Sequence, residues 1–177
     1  MRVEAEDQAA GIRVPIPEGS IVAMVAEVQL VFRGSFDHLN LVWQTGECLL
    51  SAIPFPVDPA GVRHGVLVAV QELVTNILRH AYHGDVELPI TIRYRVDETG
   101  CDIVIEDVGP PFDPTEAATP AAGQEDMPAE AGGYGILIAR VVLDEIEYAR
   151  IGDRNVLTLR KYVRDDLGLG AASKEPR

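Results

Sequence analysis

The chain has 177 residues, 47% of them hydrophobic and 24% charged, enough for one domain with a full core. Its formal net charge of −13, from 28 acidic against 15 basic residues, has the wrong sign for a protein that displaces counterions from nucleic-acid phosphates or docks on an anionic membrane. Residues 1–20 lack a basic segment followed by an apolar core, and the longest apolar run, 21–32, is interrupted by Glu27 and Gln29 and too short for a bilayer.

Residues 1–20 are polar and contain proline, and a flexible N-terminal segment is expected there. Residues 26–33 alternate as a strand. A helix follows, with Ser35 or Asp37 as N-cap and Leu39, Val42, Trp43, Leu49, Leu50 and Ile53 at three- and four-residue steps. Pro54 and Pro56 end it. Asp58-Pro59 is an N-cap with proline at the first helical position, and the helix it opens is predicted to run to about Tyr82. Two strands, 89–97 and 101–107, form a hairpin, with Arg93 and Arg95 expected to pair with Asp102 and Glu106 on its outer face. Gly109-Pro110-Pro111 is a turn, residues 113–131 a lid-like loop, and Gly132-Gly133-Tyr134-Gly135 leads into a helix over 136–144. A closing hairpin, 145–151 and 155–163, precedes a tail at 165–177. The expectation is one domain over 21–164. Cys48 and Cys101 lack metal or redox spacing and read as buried or half-buried thiols in a reducing, cytoplasmic compartment.

Three stretches carry polar residues that the core pattern does not require. In QELVTNILRHAY, Glu72 and Asn76 lie one turn apart on a helix that is otherwise apolar nearly all round. Burial there would demand hydrogen-bond partners for both. His80 and Tyr82, near the helix end, read as packing and capping residues. Asp107 points the same way as Ile103 and Ile105 under the period of two, toward the core, and needs a donor. Gly133 and Gly135 open a helix whose free N–H groups can receive an anion.

Taken in order, E-x-x-x-N on a helix, D-x-G ending a strand and GG-x-G opening a helix resemble the motifs of the GHKL ATPase superfamily. The wording of ELVTNILRHAY, IEDVGPPFDP and GGYGILIAR is similar to the anti-sigma factor serine kinases, the histidine-kinase-like ATPases that regulate bacterial sigma factors. That resemblance implies an α+β fold of the Bergerat type, a two-layer α/β sandwich with a mixed, mostly antiparallel sheet covered on one face by about three helices. It implies ATP and Mg2+ as cofactors, with Asn76 holding the metal against the phosphates and Asp107 accepting from the adenine amino group. Gly109 would let the backbone pass close to the base, Gly133 and Gly135 would bring N–H groups to the phosphates, and Glu72 would be the general base. The implied partners are a STAS-domain anti-sigma antagonist, a sigma factor and a second copy of the chain. The alternative is a nucleotide-gated binding module of the same fold that transfers little phosphate. It draws on the stretch between Arg95 and Arg140, which has ten acidic residues and no Lys, Arg or His, leaving the lid without a cation. Arg79, on the Glu72/Asn76 side of its helix, reads as a surface residue at the helix end or as a cation that reaches the phosphates.

Overall fold

The computed structural model describes residues 24–116 and 133–164. The N-terminal segment at 1–20, most of the lid at 113–131 and the tail at 165–177 lie outside the described residues. The elements are β1 (Met24–Arg33), α1 (Leu39–Leu50), α2 (Pro59–Asn76), β2 (Pro89–Asp97), β3 (Gly100–Asp107), α3 (Gly133–Val142), β4 (Glu145–Ile151) and β5 (Arg154–Tyr162). They make an α+β fold with one five-stranded sheet of order β1-β2-β3-β5-β4. All four pairings are antiparallel, so the sheet is antiparallel throughout rather than mixed. Short reversals such as Asp97–Gly100 make antiparallel neighbours the direct solution.

Alternation decides which face is buried. Ile90, Ile92, Tyr94 and Val96 of β2 and Ile103 and Ile105 of β3 are at most 1% exposed, and they meet Val42 and Leu50 of α1 and Val66, Val70 and Val74 of α2. Each such side chain contributes roughly 1.5–3 kcal/mol by leaving water. The opposite face is charged and cross-linked by ion pairs: Arg93 reaches Glu106 at 3.7 Å, but Arg95 takes Glu27 at 3.4 Å. Asp102, directly across from Arg95 in the register, lies 3.6 Å from Arg160 of β5. The sequence cannot choose among such partners because β1 and β5 flank the hairpin and compete for the same charges.

The N-caps follow their chemistry. Ser35 Oγ accepts from the Asp37 N–H at 3.2 Å ahead of a short 3-10 turn, Phe36–His38. Asp58, in a left-handed conformation, accepts from Gly61 N at 3.1 Å. The long helix is not one regular α-helix, however. After Asn76 it widens into a π-helical turn, Ile77–Ala81, closed by a bond from Tyr82 N to Ile77 O at 2.9 Å. Such turns are rare and recur at functional sites. Cys48 is exposed, against the expectation of burial, while Cys101 is buried and burial pushes its thiol up to about 12. Among the described residues no helix is long and apolar enough to cross a membrane.

Candidate functional site: a cleft between the long helix and the sheet

A cleft of about 480 Å³ opens between the C-terminal part of α2 with its π turn, the end of β3 and the β4–β5 hairpin. Asn76, His80, Asp107, Tyr148 and Asn155 supply polar groups to its wall, and Leu73, Ile77, Ile136 and Leu157 supply apolar surface. That volume and mix suit a small-molecule site.

The β3 end is built around Asp107, 7% exposed. Its Oδ1 accepts from Gly109 N at 2.7 Å and from Asn155 Nδ2 at 2.9 Å. The sheet register sets Asn155 directly opposite. Burial pushes the Asp107 carboxyl above its ordinary range, opposed by the bonds from Asn155 and Gly109 and by the charge of Arg150. Asn155 is itself held on all sides. Its Oδ1 accepts from Tyr148 Oη at 2.8 Å and from Arg150 Nη1 at 2.8 Å, and its Nδ2 also donates to the carbonyls of Pro110, at 3.1 Å, and Gly109, at 3.3 Å. Tyr82 joins this end to the helix: its hydroxyl donates to Pro89 O and accepts from Val108 N at 3.2 Å, and burial pushes its pKa up to about 12. Gly109 is required by close approach, since a Cβ there would stand 2.6 Å from the Cβ of Ala81 on the π turn.

At the other end, Glu72 and Asn76 are half-buried. The expectation that both have protein partners is not met. Among the described residues neither side chain makes a hydrogen bond, and neither has a polar atom sealed from solvent. The helix is less enclosed on this side than its apolar composition implied, because the cleft runs along it. Glu72 faces the start of α3: a Cβ on Gly135 would fall 2.6 Å from Glu72 Cβ and 2.8 Å from Glu72 Oε2. Glycine at this position therefore lets α3 begin against the carboxylate. Gly133 is the first residue of α3.

The structure thus brings Asn76 and Asp107 to one cleft, with Gly109 beneath its β3 end and Glu72 and Gly135 in contact one helical turn beyond Asn76. It does not bring Arg79 there: the guanidinium lies over the Phe36 ring, 5.9 Å from its centroid, and His80 lines the cleft in its place. The π turn is the physical reason. Bonding i to i+5 widens the turn, so the residue four after Asn76 comes into line with it and the residue three after swings away. His80 is therefore a cleft residue rather than a packing one, while Tyr82 does tie the structure together. Sequence reasoning also missed Asn155, Tyr148 and Arg150. The alternation that turned Asp107 inward also applies to Asn155, Leu157 and Leu159, and it would have found Asn155.

A two-layer α+β domain with such a cleft, walled by a polar-marked helix, a strand-end carboxylate and a glycine-led helix, has the architecture of a domain with a preformed small-molecule pocket. The profile of the histidine kinase-like ATPase domain matches residues 39–161, and the chain belongs to that family. It is similar to the serine-protein kinase RsbW of Listeria monocytogenes serovar 1/2a, 29% identical over 104 residues, and of Listeria innocua serovar 6a, 27% over 103 residues. Each match covers 55% of this chain and 64% of the relative, so the chain spans less than two thirds of those proteins. The serine/threonine-protein kinase BtrW of Bordetella bronchiseptica is 27% identical over 103 residues, covering 58% of this chain and 72% of the relative. Among solved structures, the RsbU and RsbW domains of Rv1364c from Mycobacterium tuberculosis superpose with a TM-score of 0.52 at 13% identity, covering 78% of this chain and 33% of that one. That likeness is one of fold.

Proposed function

We propose that this chain is an ATP-dependent protein serine kinase of the anti-sigma factor type. Its substrate would be a small STAS-domain antagonist, and it would also sequester a sigma factor, acting as a homodimer in the cytoplasm. The observation that carries the reading is the convergence of Asn76 and Asp107 on one cleft with Glu72 and Gly135 in contact at its end. The family supports ATP as the ligand, and the names of the relatives support serine as the acceptor.

The residues fit a magnesium nucleotide. Oδ2 of Asp107 has no hydrogen-bond partner among the described residues and is not sealed off, so it can accept from an exocyclic amino group. The close approach at Gly109 lets a flat base lie against backbone. The first turn of α3, from Gly133 and Gly135, offers N–H groups suited to phosphate oxygens. The Asn76 carboxamide oxygen is a hard ligand suited to Mg2+. Among the described residues no group of three or more His, Cys, Asp or Glu could hold a metal, which fits an ion that draws the rest of its shell from phosphate and water. Mg-ATP would supply the phosphoryl group and neutralise its charge, which is most of what such transfer requires. Glu72, one turn from Asn76, would take the proton of the attacking serine hydroxyl.

A second reading, a nucleotide-gated binding module, is favoured by one observation: among the described residues the cleft wall carries His80 but no Lys or Arg. Incubation with γ-labelled ATP and candidate STAS-domain proteins separates the two. Label on a partner serine supports the kinase. Nucleotide binding with no label on any partner supports the module.

A further inference from the structure

We infer that Asn155 and Arg150 form a positioning pair that sets the purine selectivity of the cleft by keeping Asp107 a pure hydrogen-bond acceptor. This rests on the reading of the cleft as a nucleotide site and goes on to say what makes it choose one base.

The Arg150 guanidinium can only donate. It stands 2.8 Å from one end of the Asn155 carboxamide, so that end must be the oxygen. The NH2 end then faces Asp107 Oδ1 at 2.9 Å, and an NH2 group is satisfied only by an acceptor. The Gly109 N–H, at 2.7 Å from the same oxygen, makes the same demand. The Gly109 and Pro110 carbonyls oppose a flip of the amide as well, and Arg150 Nη1 fixes the Gly109 carbonyl by a bond of 2.9 Å. Tyr148 Oη, 2.8 Å from the amide oxygen, could donate or accept and therefore decides nothing.

With Oδ1 claimed by two donors, only Oδ2 is left for a ligand. Whether it accepts or donates depends on whether the carboxyl keeps its proton. Burial favours the protonated form, and Asn155, Gly109 and Arg150 oppose it. An ionised Oδ2 matches the 6-amino group of adenine. A protonated one could donate to the 6-oxo group of hypoxanthine or guanine. Arg150 is itself exposed, so water screens much of its charge; its direct bond to the amide is the larger share of its effect. Asn155 should therefore matter more than Arg150.

The test is calorimetric titration of the full chain with Mg-ADP and Mg-IDP, which differ at position 6 of the base. Wild type should prefer Mg-ADP by at least about 30-fold, the worth of one charge-assisted hydrogen bond. In Asn155→Leu the ratio should fall by about tenfold, and in Arg150→Leu by about threefold, with Arg150→Lys restoring it, as expected for partial loss of such a bond. A merely structural lesion would weaken both nucleotides together and leave the ratio alone. If Arg150→Leu is folded and both it and Asn155→Leu keep the wild-type ratio, the inference is wrong while the nucleotide site stands. If wild type binds neither nucleotide, the reading of the site falls and the inference with it.

Discussion

At the β3–β5 end of the cleft the polar side chains are engaged by one another and by backbone, whereas at the α2–α3 end Glu72 and Asn76 have no partner among the described residues. Asp107, Asn155, Tyr148 and Arg150 form one connected network with contacts of 2.7–3.3 Å. Glu72 and Asn76, half-buried, bond to no described residue. Buried polar groups ordinarily find partners, so the difference assigns different work to the two ends. The first is preorganised and can discriminate a rigid ring by its edge. The second leaves a carboxylate and a carboxamide without protein partners among the described residues, which on the proposed function are available to a charged, flexible group and its metal ion.

Substitutions at the two ends should therefore fail in different ways. The largest effect belongs to Glu72→Ala: phosphoryl transfer to a STAS-domain substrate should fall at least about 100-fold, the usual worth of a general base, with Mg-ADP affinity nearly unchanged. Asp107→Asn should instead weaken Mg-ADP binding by about 30-fold, since a carboxamide supplies a poorer acceptor to the base. Its stability should move the other way. The Asp107 carboxyl is raised in the folded state, chiefly by burial, so folding favours its protonated form. Its contribution to wild-type stability is therefore greatest below the unfolded carboxylate value of about 3.9 and is lost as pH rises through the higher folded value. Asp107→Asn lacks that penalty. At neutral pH it should melt at the wild-type temperature or above, with any gain shrinking as pH falls through the carboxylate range. A variant that lost binding and stability together would blur the contrast between the two ends.

Gly135→Ala couples them. The new Cβ would meet Glu72 Cβ at 2.6 Å, so α3 must shift, at a cost of about 1–3 kcal/mol by overpacking. Thermal melting and transfer assays should show both losses. The smallest effect is expected of Arg79→Ala. Its guanidinium lies over Phe36 and outside the cleft wall, so Mg-ADP affinity should hardly change in a titration, while loss of the exposed cation–aromatic contact should cost about 0.5–1 kcal/mol of stability.

Much of this was legible in the sequence for a reason that also explains the misses. Period-two alternation placed Asp107 inside because two isoleucines on the same strand set the phase. Asn155 obeys the same phase through Leu157 and Leu159, yet an asparagine just after Gly152-Asp153-Arg154 also reads as turn chemistry, and the two signals compete. The π turn leaves no periodic trace, since one widened turn spans too few residues to shift a pattern. That single feature misdirected Arg79 and hid His80. The engagement of Arg150 by Gly109 and Asn155 depends on β4 and the β3 turn meeting across 41 residues of chain, which no local pattern encodes. Family resemblance supplied Glu72, Asn76, Asp107 and the glycines as a set; only the structure shows how unequally the protein itself satisfies them.

The account depends on one cleft serving both ends of one ligand, and amide chemical-shift mapping during titration with Mg-ADP tests that directly. The expected result is a set of perturbations that saturates together at the Glu72–Tyr82 stretch, at Asp107 to Pro110, at the start of α3 and at Tyr148 to Asn155, with Asn155 and Asn76 responding at one dissociation constant. Perturbations confined to one of these ends, or centred on the charged outer face of the sheet, would contradict it.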